Sequence, residues 1–185
     1  SEDHSSDVPL SAQPYQIAHF KVPLFSEPHE ISVGKMEKIV AEIIETEGPI
    51  HEEEVARRVS SLWALKRTGS RIRKVVLQGI KSAVRRSTIV KSGKFLMKNG
   101  MTEIVVRNRF EVDSGGLKKP EMLPPLEIRE ALRQVIVQQV GVTKEEGARL
   151  VSRLLGFRSM SSQLQTVIQG EINKMVKQRE LVDKN

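Results

Sequence analysis

Apolar residues recur every three or four positions in three successive segments of this chain, which predicts three amphipathic helices. The segments span about 35–46, 52–64 and 70–86, and Gly48-Pro49 ends the first of them. Ser70 is the predicted N-cap of the third helix. One stripe of that helix is apolar and comprises Ile72, Val75, Val76, Ile80, Ala83 and Val84. The opposite stripe is polar and largely basic.

A short hairpin is predicted after the third helix. Residues 89–97 form two β-like runs around a Ser-Gly turn. Three helices followed by a basic β-hairpin is the pattern of a winged-helix domain, a variant of the helix-turn-helix. The tripeptide 48–50 is a candidate for the short strand that joins such a sheet. Residues 102–107 are a candidate for a further strand, paired with the hairpin or with the N-terminal arm.

The same pattern occurs a second time. A shift of 92 positions aligns 50–90 with 142–182 without a gap, and we interpret this as an internal duplication. Identical pairs include Glu53/Glu145, Ala56/Ala148, Arg57/Arg149, Val59/Val151, Leu62/Leu154, Ser70/Ser162, Ile80/Ile172 and Val84/Val176. The chain ends soon after Val182, which leaves little room for a second hairpin.

These patterns predict a mainly α protein with small β wings, of the α+β class, made of tandem duplicated winged-helix domains. We expect an extended arm or linker at 1–34 and a first winged-helix domain at 35–113 with a basic third helix and wing. A Gly/Pro linker at 114–125 precedes a second, degenerate winged-helix-like domain at 126–185. Residues 15–25 of the arm are apolar enough to dock as an extended strand.

Basic residues are concentrated in one part of the chain. Between Glu54 and Glu103 the chain carries thirteen Lys and Arg residues and no Asp or Glu, although the whole chain has a net charge of only +7. Basic charge concentrated on one part of a folded domain is typical of a polyanion partner, usually nucleic acid. The alternative is a solvated helix face. Aromatic residues make up only 4% of the chain, which argues against a base-stacking platform for single strands.

The candidate contact residues lie on the third helix and in the hairpin. Arg and Lys side chains there would contact phosphates or guanine, and Gln78 would read adenine. The full candidate set is Ser70, Arg71, Arg73, Lys74, Gln78, Lys81, Arg85, Lys91, Lys94 and Lys98. In the second copy the outward positions are mostly neutral, namely Ser162, Gln163, Thr166, Gly170, Asn173 and Lys177. We therefore expect a packing or protein-contact role for that copy, with base reading by its Gln and Asn left open.

Catalytic, metal-binding and membrane functions find little support. The four His residues are scattered, and His51 before three Glu residues is interpreted as a helix N-cap, while Glu53–Arg57 and Glu54–Arg58 are expected surface ion pairs. No phosphate-binding glycine loop or nucleophile with a base is present, so we expect no enzyme activity, cofactor or metal in this chain. It has no cysteine, no apolar run of 18 residues, no signal peptide and no initiator Met. We expect a cytoplasmic fragment of a longer protein.

A resemblance refines this expectation. Residues 47–76 carry Gly48-Pro49-Ile50-His51, Ala56-Arg57-Arg58 and Lys66-Arg67-Thr68-Gly69-Ser70-Arg71-Ile72. They resemble the uncharacterised C-terminal domain of large bacterial proteins related to superfamily I DNA/RNA helicases, which also carry an endonuclease domain similar to very-short-patch repair nucleases. The resemblance implies DNA processing or phage defence for the parent protein, with ATP and Mg²⁺ as its cofactors. The helicase and nuclease motifs themselves are absent from this sequence.

Two functions follow as expectations. The first is a nucleic-acid-binding accessory module, with DNA as the favoured partner, that positions substrate for the parent's ATP-dependent motor. The alternative is a protein-interaction module that docks on other domains of the same parent chain, binds another partner or forms a dimer.

Overall fold

The computed structural model describes residues 11–181. Within them lie six α-helices and a small antiparallel sheet, and helix makes up about 54% of the protein, which places it in the α+β class. In chain order the elements are β1 (Gln13–Pro14), α1 (Val33–Glu47), β2 (Ile50–His51), α2 (Glu52–Leu62), α3 (Ser70–Arg85), β3 (Ile89–Ser92), β4 (Phe95–Lys98), β5 (Arg107–Asn108), α4 (Pro125–Gln138), α5 (Lys144–Leu154) and α6 (Ser162–Lys177).

The chain divides into two compact units at positions that differ from the predicted domain limits. The first unit is Gln16–Glu103, and the second joins residues 11–15 to residues 104–181. Residues 16–34, predicted as part of a separate arm, belong to the first unit because Ala18 and Ile31 are buried in its core. Residues 104–125, predicted as the end of the first domain and a linker, belong to the second. Leu117, Met122 and Leu123 are buried there.

The first unit packs α1 against α2 and α3, with a three-stranded sheet of order β2-β4-β3. Its core is aliphatic, and Met36, Val40, Val59 and Val76 are fully buried. The predicted hairpin forms as β3 and β4 around Gly93, whose φ of 59° suits a residue without a side chain. The strand predicted at 48–50 occurs at Ile50–His51 and pairs antiparallel with β4.

Two local predictions for α3 and its surroundings are wrong. Ser70 is the first helical residue rather than the N-cap, because the chain is still extended at Gly69 and turns helical immediately after it. Val84, predicted on the apolar stripe, is exposed. It lies about 100° around the helix from Ala83. That rotation is enough to carry its side chain out of the core.

The second unit packs α4, α5 and α6 around a separate aliphatic core. The bounds of α5 and α6 are those of α2 and α3 displaced by 92 positions. Left-handed residues recur at the same displacement, since Ala64 and Gly156 have φ of 55° and 94°, and Ser87 and Arg179 have φ of 58° and 60°. After α6 the described part of the chain has four residues and no strand.

The further strand predicted at 102–107 is shorter and lies later. Only Arg107–Asn108 pairs, and its partner is β1 in the N-terminal arm, in parallel register. The Gln13 backbone N–H donates to the Val106 carbonyl at 3.0 Å, and that of Tyr15 donates to the Asn108 carbonyl at 2.9 Å. Of the two pairings left open by the sequence, the arm is therefore the one observed.

Buried ion pairs stabilise both units. In the first, Arg58 is only 2% exposed and forms a bidentate contact with Glu47. The prediction that Arg58 forms a surface ion pair with Glu54 is therefore wrong about its exposure. In the second, Glu127 accepts hydrogen bonds from the Arg107 and Arg109 guanidinium groups. Burial alone would raise the pKa of Glu127. The positive charges of Arg109 and Arg107 and their hydrogen bonds outweigh it and lower this pKa to about 2.

Candidate nucleic-acid interface

The outward face of α3 carries a continuous polar strip. Its buried apolar residues and glycine lie on one side of the helix, which packs against α1 and α2: Ile72, Val75, Val76, Gly79, Ile80 and Ala83. At 100° per residue, Lys74, Lys81 and Arg85 fall within about 40° of one another on the opposite side, and Gln78 and Arg71 border them. All five are exposed. We call these five residues the α3 strip.

Six of the thirteen basic residues between Glu54 and Glu103 are neutralised by acids from outside that stretch or at its edge. The folded chain brings these acids back from α1 and from the start of α2. The pairs are Arg57–Glu54, Arg58–Glu47, Arg73–Glu53 at 2.7 Å, Arg86–Glu37 at 3.6 Å, Lys91–Glu52 at 2.8 Å and Lys98–Glu45 at 2.8 Å. The absence of acids in the local sequence therefore overstates the basic surface.

Seven basic residues remain. Within the part of the chain that the structure describes, they form no ion pair and no side-chain hydrogen bond, and all are exposed: Lys66, Arg67, Arg71, Lys74, Lys81, Arg85 and Lys94. Four belong to the α3 strip. Two lie in the connection between α2 and α3, and one lies at the tip of the hairpin. Unpaired cations can exchange their counterions for phosphates without first breaking a protein ion pair.

The ion pairs divide the ten candidate residues into two groups. Ser70, Arg71, Lys74, Gln78, Lys81, Arg85 and Lys94 are exposed and carry no acidic partner among residues 11–181. Arg73 points to α2 instead, where its guanidinium donates to Glu53 Oε1 at 2.9 and 2.7 Å. Lys91 and Lys98 of the hairpin are tied to Glu52 and Glu45. The hairpin therefore contributes one unpaired cation, fewer than its sequence indicates.

Lys66 and Arg67 were not among the candidates, although they lie in the acid-free stretch. They precede Gly69 in the connection from α2 to α3, and a hydrogen bond of 2.9 Å between Ser60 Oγ and Thr68 Oγ1 closes this connection. Both side chains consequently lie near the N-terminal end of α3. The signal that could have identified them is the basic run Lys66-Arg67 immediately before that helix.

Two apolar residues border the α3 strip. Leu77 is 40% exposed and Val84 is 37% exposed. Leu77 lies between Lys74 and Lys81 at spacings of three and four residues, so the three side chains are neighbours on the helix surface. Nothing in the sequence singles out Leu77, because one exposed leucine is common on soluble proteins.

The corresponding face of α6 differs in charge. Ser162, Gln163 and Thr166 are exposed, and Gln163 donates to Glu121 at 3.2 Å. Lys177 is the only basic residue among the six outward positions. Because α3 and α6 have the same length and share five buried positions at a displacement of 92 residues, the basic strip is not required for packing. It is a feature of the first unit.

His51 has a structural role. It caps α2, where its Nδ1 accepts a hydrogen bond of 3.0 Å from the Glu53 backbone N–H, and its ring lies edge-on to Phe95. Burial lowers the pKa of His51, which favours the neutral ring that an acceptor requires. Among residues 11–181 no group of three or more His, Asp or Glu side chains is placed to hold a metal ion. None of the helices in that range has both the length and the apolar character needed to cross a membrane.

A family model described as "Protein of unknown function (DUF3320)" matches residues 26–74. The matched range holds 49 of the 185 residues (74 − 26 + 1) and ends within the first half of α3. It contains all three motifs on which the resemblance to an uncharacterised domain rests. Neither the curated proteins nor the solved structures contain a significant match to this chain.

Proposed function

We propose that the first unit is a winged-helix domain that binds nucleic acid, with duplex DNA as the favoured ligand, through the α3 strip. The observation that supports this most is the set of unpaired cations: four lie on one face of α3 and two more at its N-terminal end. In helix-turn-helix proteins the equivalent helix enters the major groove, where Arg and Lys contact phosphates or guanine. Gln78 has the bidentate amide that suits adenine.

Leu77 favours DNA over RNA in this proposal. The major groove of B-form DNA admits a helix and presents the thymine methyl group, which an apolar side chain can contact. In A-form RNA the major groove is too deep and narrow for side chains to read. An apolar residue between two unpaired lysines fits the first groove and has no contact to make in the second.

The second unit is proposed to be a duplicated, degenerate winged-helix-like domain. The identical bounds of α2 and α5, and of α3 and α6, at a displacement of 92 residues support this origin. The recurrence of left-handed residues at the same displacement supports it further. Its neutral α6 face suits packing or protein contact better than phosphate binding.

We further propose that this chain is an accessory module of a bacterial helicase- and nuclease-like protein, with ATP and Mg²⁺ acting in other domains of that parent. The motifs at 47–76 support this, and the match to a domain of unknown function over 26–74 agrees with an uncharacterised domain. The proposed role is to hold substrate for the parent's motor, and it requires no catalytic residue in this chain.

The test is fluorescence anisotropy of labelled duplex and single-stranded oligonucleotides over a salt series. We expect binding that weakens steeply as salt rises, with the duplex preferred. Affinity weaker than about 100 µM at low salt, the weak limit of ordinary non-specific binding, contradicts the proposal, as does an affinity that salt leaves unchanged. Changing Lys74, Lys81 and Arg85 together to Glu should abolish binding while thermal unfolding stays cooperative.

A second candidate function is a protein-interaction or dimerisation module. The observation that favours it is exposed apolar surface on the second unit, where Val137 and Val140 are 75% and 96% exposed near the end of α4. Light scattering of the natural chain and of a Val137→Ser, Val140→Ser variant tests this candidate. A dimer that the variant loses supports it, and a monomer that binds no other domain of the parent protein contradicts it.

A further inference from the structure

Two apolar residues of the first unit are far more exposed than their neighbours. Leu24 is 70% exposed and Phe25 is 90% exposed, whereas Val22 packs against the core and Pro28 is buried. An aromatic ring presented almost fully to solvent gives up the burial that normally makes aromatic residues stabilising. The ring is therefore accessible to a ligand over almost all of its surface.

The turn that presents Phe25 is held in place on both sides. The Ser26 backbone N–H donates to the Pro23 carbonyl at 3.2 Å, which closes the turn. The Ser26 carbonyl accepts a hydrogen bond of 2.8 Å from the indole Nε1 of Trp63, a buried residue. Phe25 is therefore preorganised, and binding a ligand there requires little ordering of the backbone.

Trp63 also locates the turn relative to the basic residues. It follows the last residue of α2 and begins the connection that carries Lys66 and Arg67 and leads into α3. The short 3-10 helix Pro28–Glu30, which follows the turn, packs against α3. Lys66 and Arg67 thus follow the residue that anchors the turn by three and four positions along the chain. The acids nearest in sequence are Glu27 and Glu30, and the Glu27 backbone N–H donates a hydrogen bond of 2.9 Å to the Glu30 carboxylate at the cap of the 3-10 helix.

We propose that Phe25 stacks on an unpaired nucleobase at the end or fork of a duplex that is bound on the α3 strip. This inference rests on the proposed function. Lys66 and Arg67 would hold the phosphates on either side of that base, and the ring would cover its face. The base must be unpaired because paired bases are stacked inside the duplex and their faces are inaccessible. A nucleic acid is favoured over a protein or a lipid surface because Lys66 and Arg67 are unpaired, follow the anchoring Trp63 in the same connection and immediately precede α3.

The test compares two ligands of equal duplex length, one blunt and one forked with 2-aminopurine at the first unpaired position. Stacking on one aromatic side chain changes affinity by about 5- to 100-fold. We expect Phe25→Ala to weaken binding to the fork by that factor and to leave binding to the blunt duplex unchanged. Phe25→Tyr should keep the fork preference, and quenching of 2-aminopurine should occur with the natural chain and not with Phe25→Ala.

The neighbouring Leu24→Ala is the matched control, since it removes an exposed apolar side chain that cannot stack. It should change binding to the fork by less than about twofold, and the thermal unfolding of all variants should match that of the natural chain. The inference is overturned if Phe25→Ala leaves binding to the fork unchanged, or weakens binding to both ligands equally. It is also overturned if Phe25→Ala abolishes only self-association or only binding to vesicles of anionic phospholipid.

Different results would contradict the proposed function and the stacking of Phe25. If the natural chain binds neither ligand, the proposed function is wrong and this inference falls with it. If the chain binds both ligands equally, and only substitutions in the α3 strip weaken that binding, the proposed function stands and the stacking inference alone is wrong.

Discussion

Removing three unpaired cations from α3 should change the salt dependence of DNA binding, whereas removing three paired cations should not. The first variant is Lys74→Gln, Lys81→Gln, Arg85→Gln. The second is Arg73→Gln, Lys91→Gln, Lys98→Gln, which loses the same total charge. The structure separates them, since the second group is bound to Glu53, Glu52 and Glu45.

The magnitude follows from the number of unpaired cations. Each phosphate contact contributes a slope of about −0.9 to the logarithm of affinity against the logarithm of salt concentration. Seven contacts predict a slope of about −6, so affinity should fall by about 10³- to 10⁴-fold between 50 and 200 mM salt. The α3 variant retains four contacts, and its affinity should fall by only about 10²-fold over the same range.

Fluorescence anisotropy of a labelled duplex at five or more salt concentrations measures both slopes. We expect the variant of paired residues to keep the slope of the natural chain, even if its affinity at low salt is somewhat lower. Equal reduction of the slope in both variants would refute the distinction between paired and unpaired cations. An unchanged slope in the α3 variant would refute α3 as the contact surface.

Three further predictions concern stability and base recognition. Glu127→Gln should destabilise the protein by about 3 kcal/mol in urea unfolding, because Arg107 and Arg109 lose their counter-charge. Since the pKa of Glu127 is lowered from 4.5 to about 2, its contribution to stability is complete above about pH 4.5 and is lost as the pH falls toward 2. Stability of the variant that falls with acid as much as that of the natural chain would contradict this assignment. Ala64 has a positive φ, so Ala64→Gly should raise the free energy of unfolding by up to about 1 kcal/mol. At the matching position Gly156→Ala should lower it by more than that, because the added Cβ would lie 2.5 Å from three atoms of Asn108, Arg109 and Phe110. Shifts of the same sign for both variants in thermal unfolding would contradict this expectation. Replacing thymine by uracil in a bound duplex should weaken binding of the natural chain and leave binding of the Leu77→Ala variant unchanged. If the effects of the uracil and of Leu77→Ala on the binding free energy simply add, Leu77 does not contact the thymine methyl group.

Helical periodicity was sufficient to predict the helices, because each buries one stripe against its neighbours. The predicted segments at 35–46, 52–64 and 70–86 correspond to α1, α2 and α3 within two residues at each end. The hairpin followed from β-like residues around Gly93. The N-cap of α3 was missed because Gly69 and Ser70 both favour helix starts, and the sequence alone does not show which of them remains extended.

The charge of the surface was harder to predict, because ion pairs form between residues distant in sequence. Glu45 and Lys98 are 53 residues apart, and their contact depends on how β4 lies along α1. The pattern of buried positions identified the α3 strip, which is local to one helix. Which cations of the hairpin are unpaired became clear only from the folded arrangement of Glu45 and Glu52.

Contacts between distant residues also limited what could be predicted for the N-terminal segment. Its apolar residues predicted docking, and pairing of 102–107 with this arm was one of two alternatives, but the sequence did not indicate that only two residues of each segment would pair or that Ala18 would donate its backbone N–H to Glu47 at 3.0 Å. Two-residue pairings and single hydrogen bonds have no periodic pattern that a sequence can reveal. For the same reason the exposure of Phe25 could not be predicted, since its neighbours Val22 and Phe20 pack against the core.

We propose that nucleic acid is bound by α3 of the first unit and not by the corresponding helix of the second. The most direct test is a titration of the isotope-labelled chain with duplex DNA, followed by backbone amide chemical shifts in heteronuclear NMR. We expect small chemical-shift changes in α6 and the largest changes at Lys66, Arg67, Arg71, Lys74, Gln78, Lys81 and Arg85. Changes of equal size in both helices, or changes confined to α6, would contradict it.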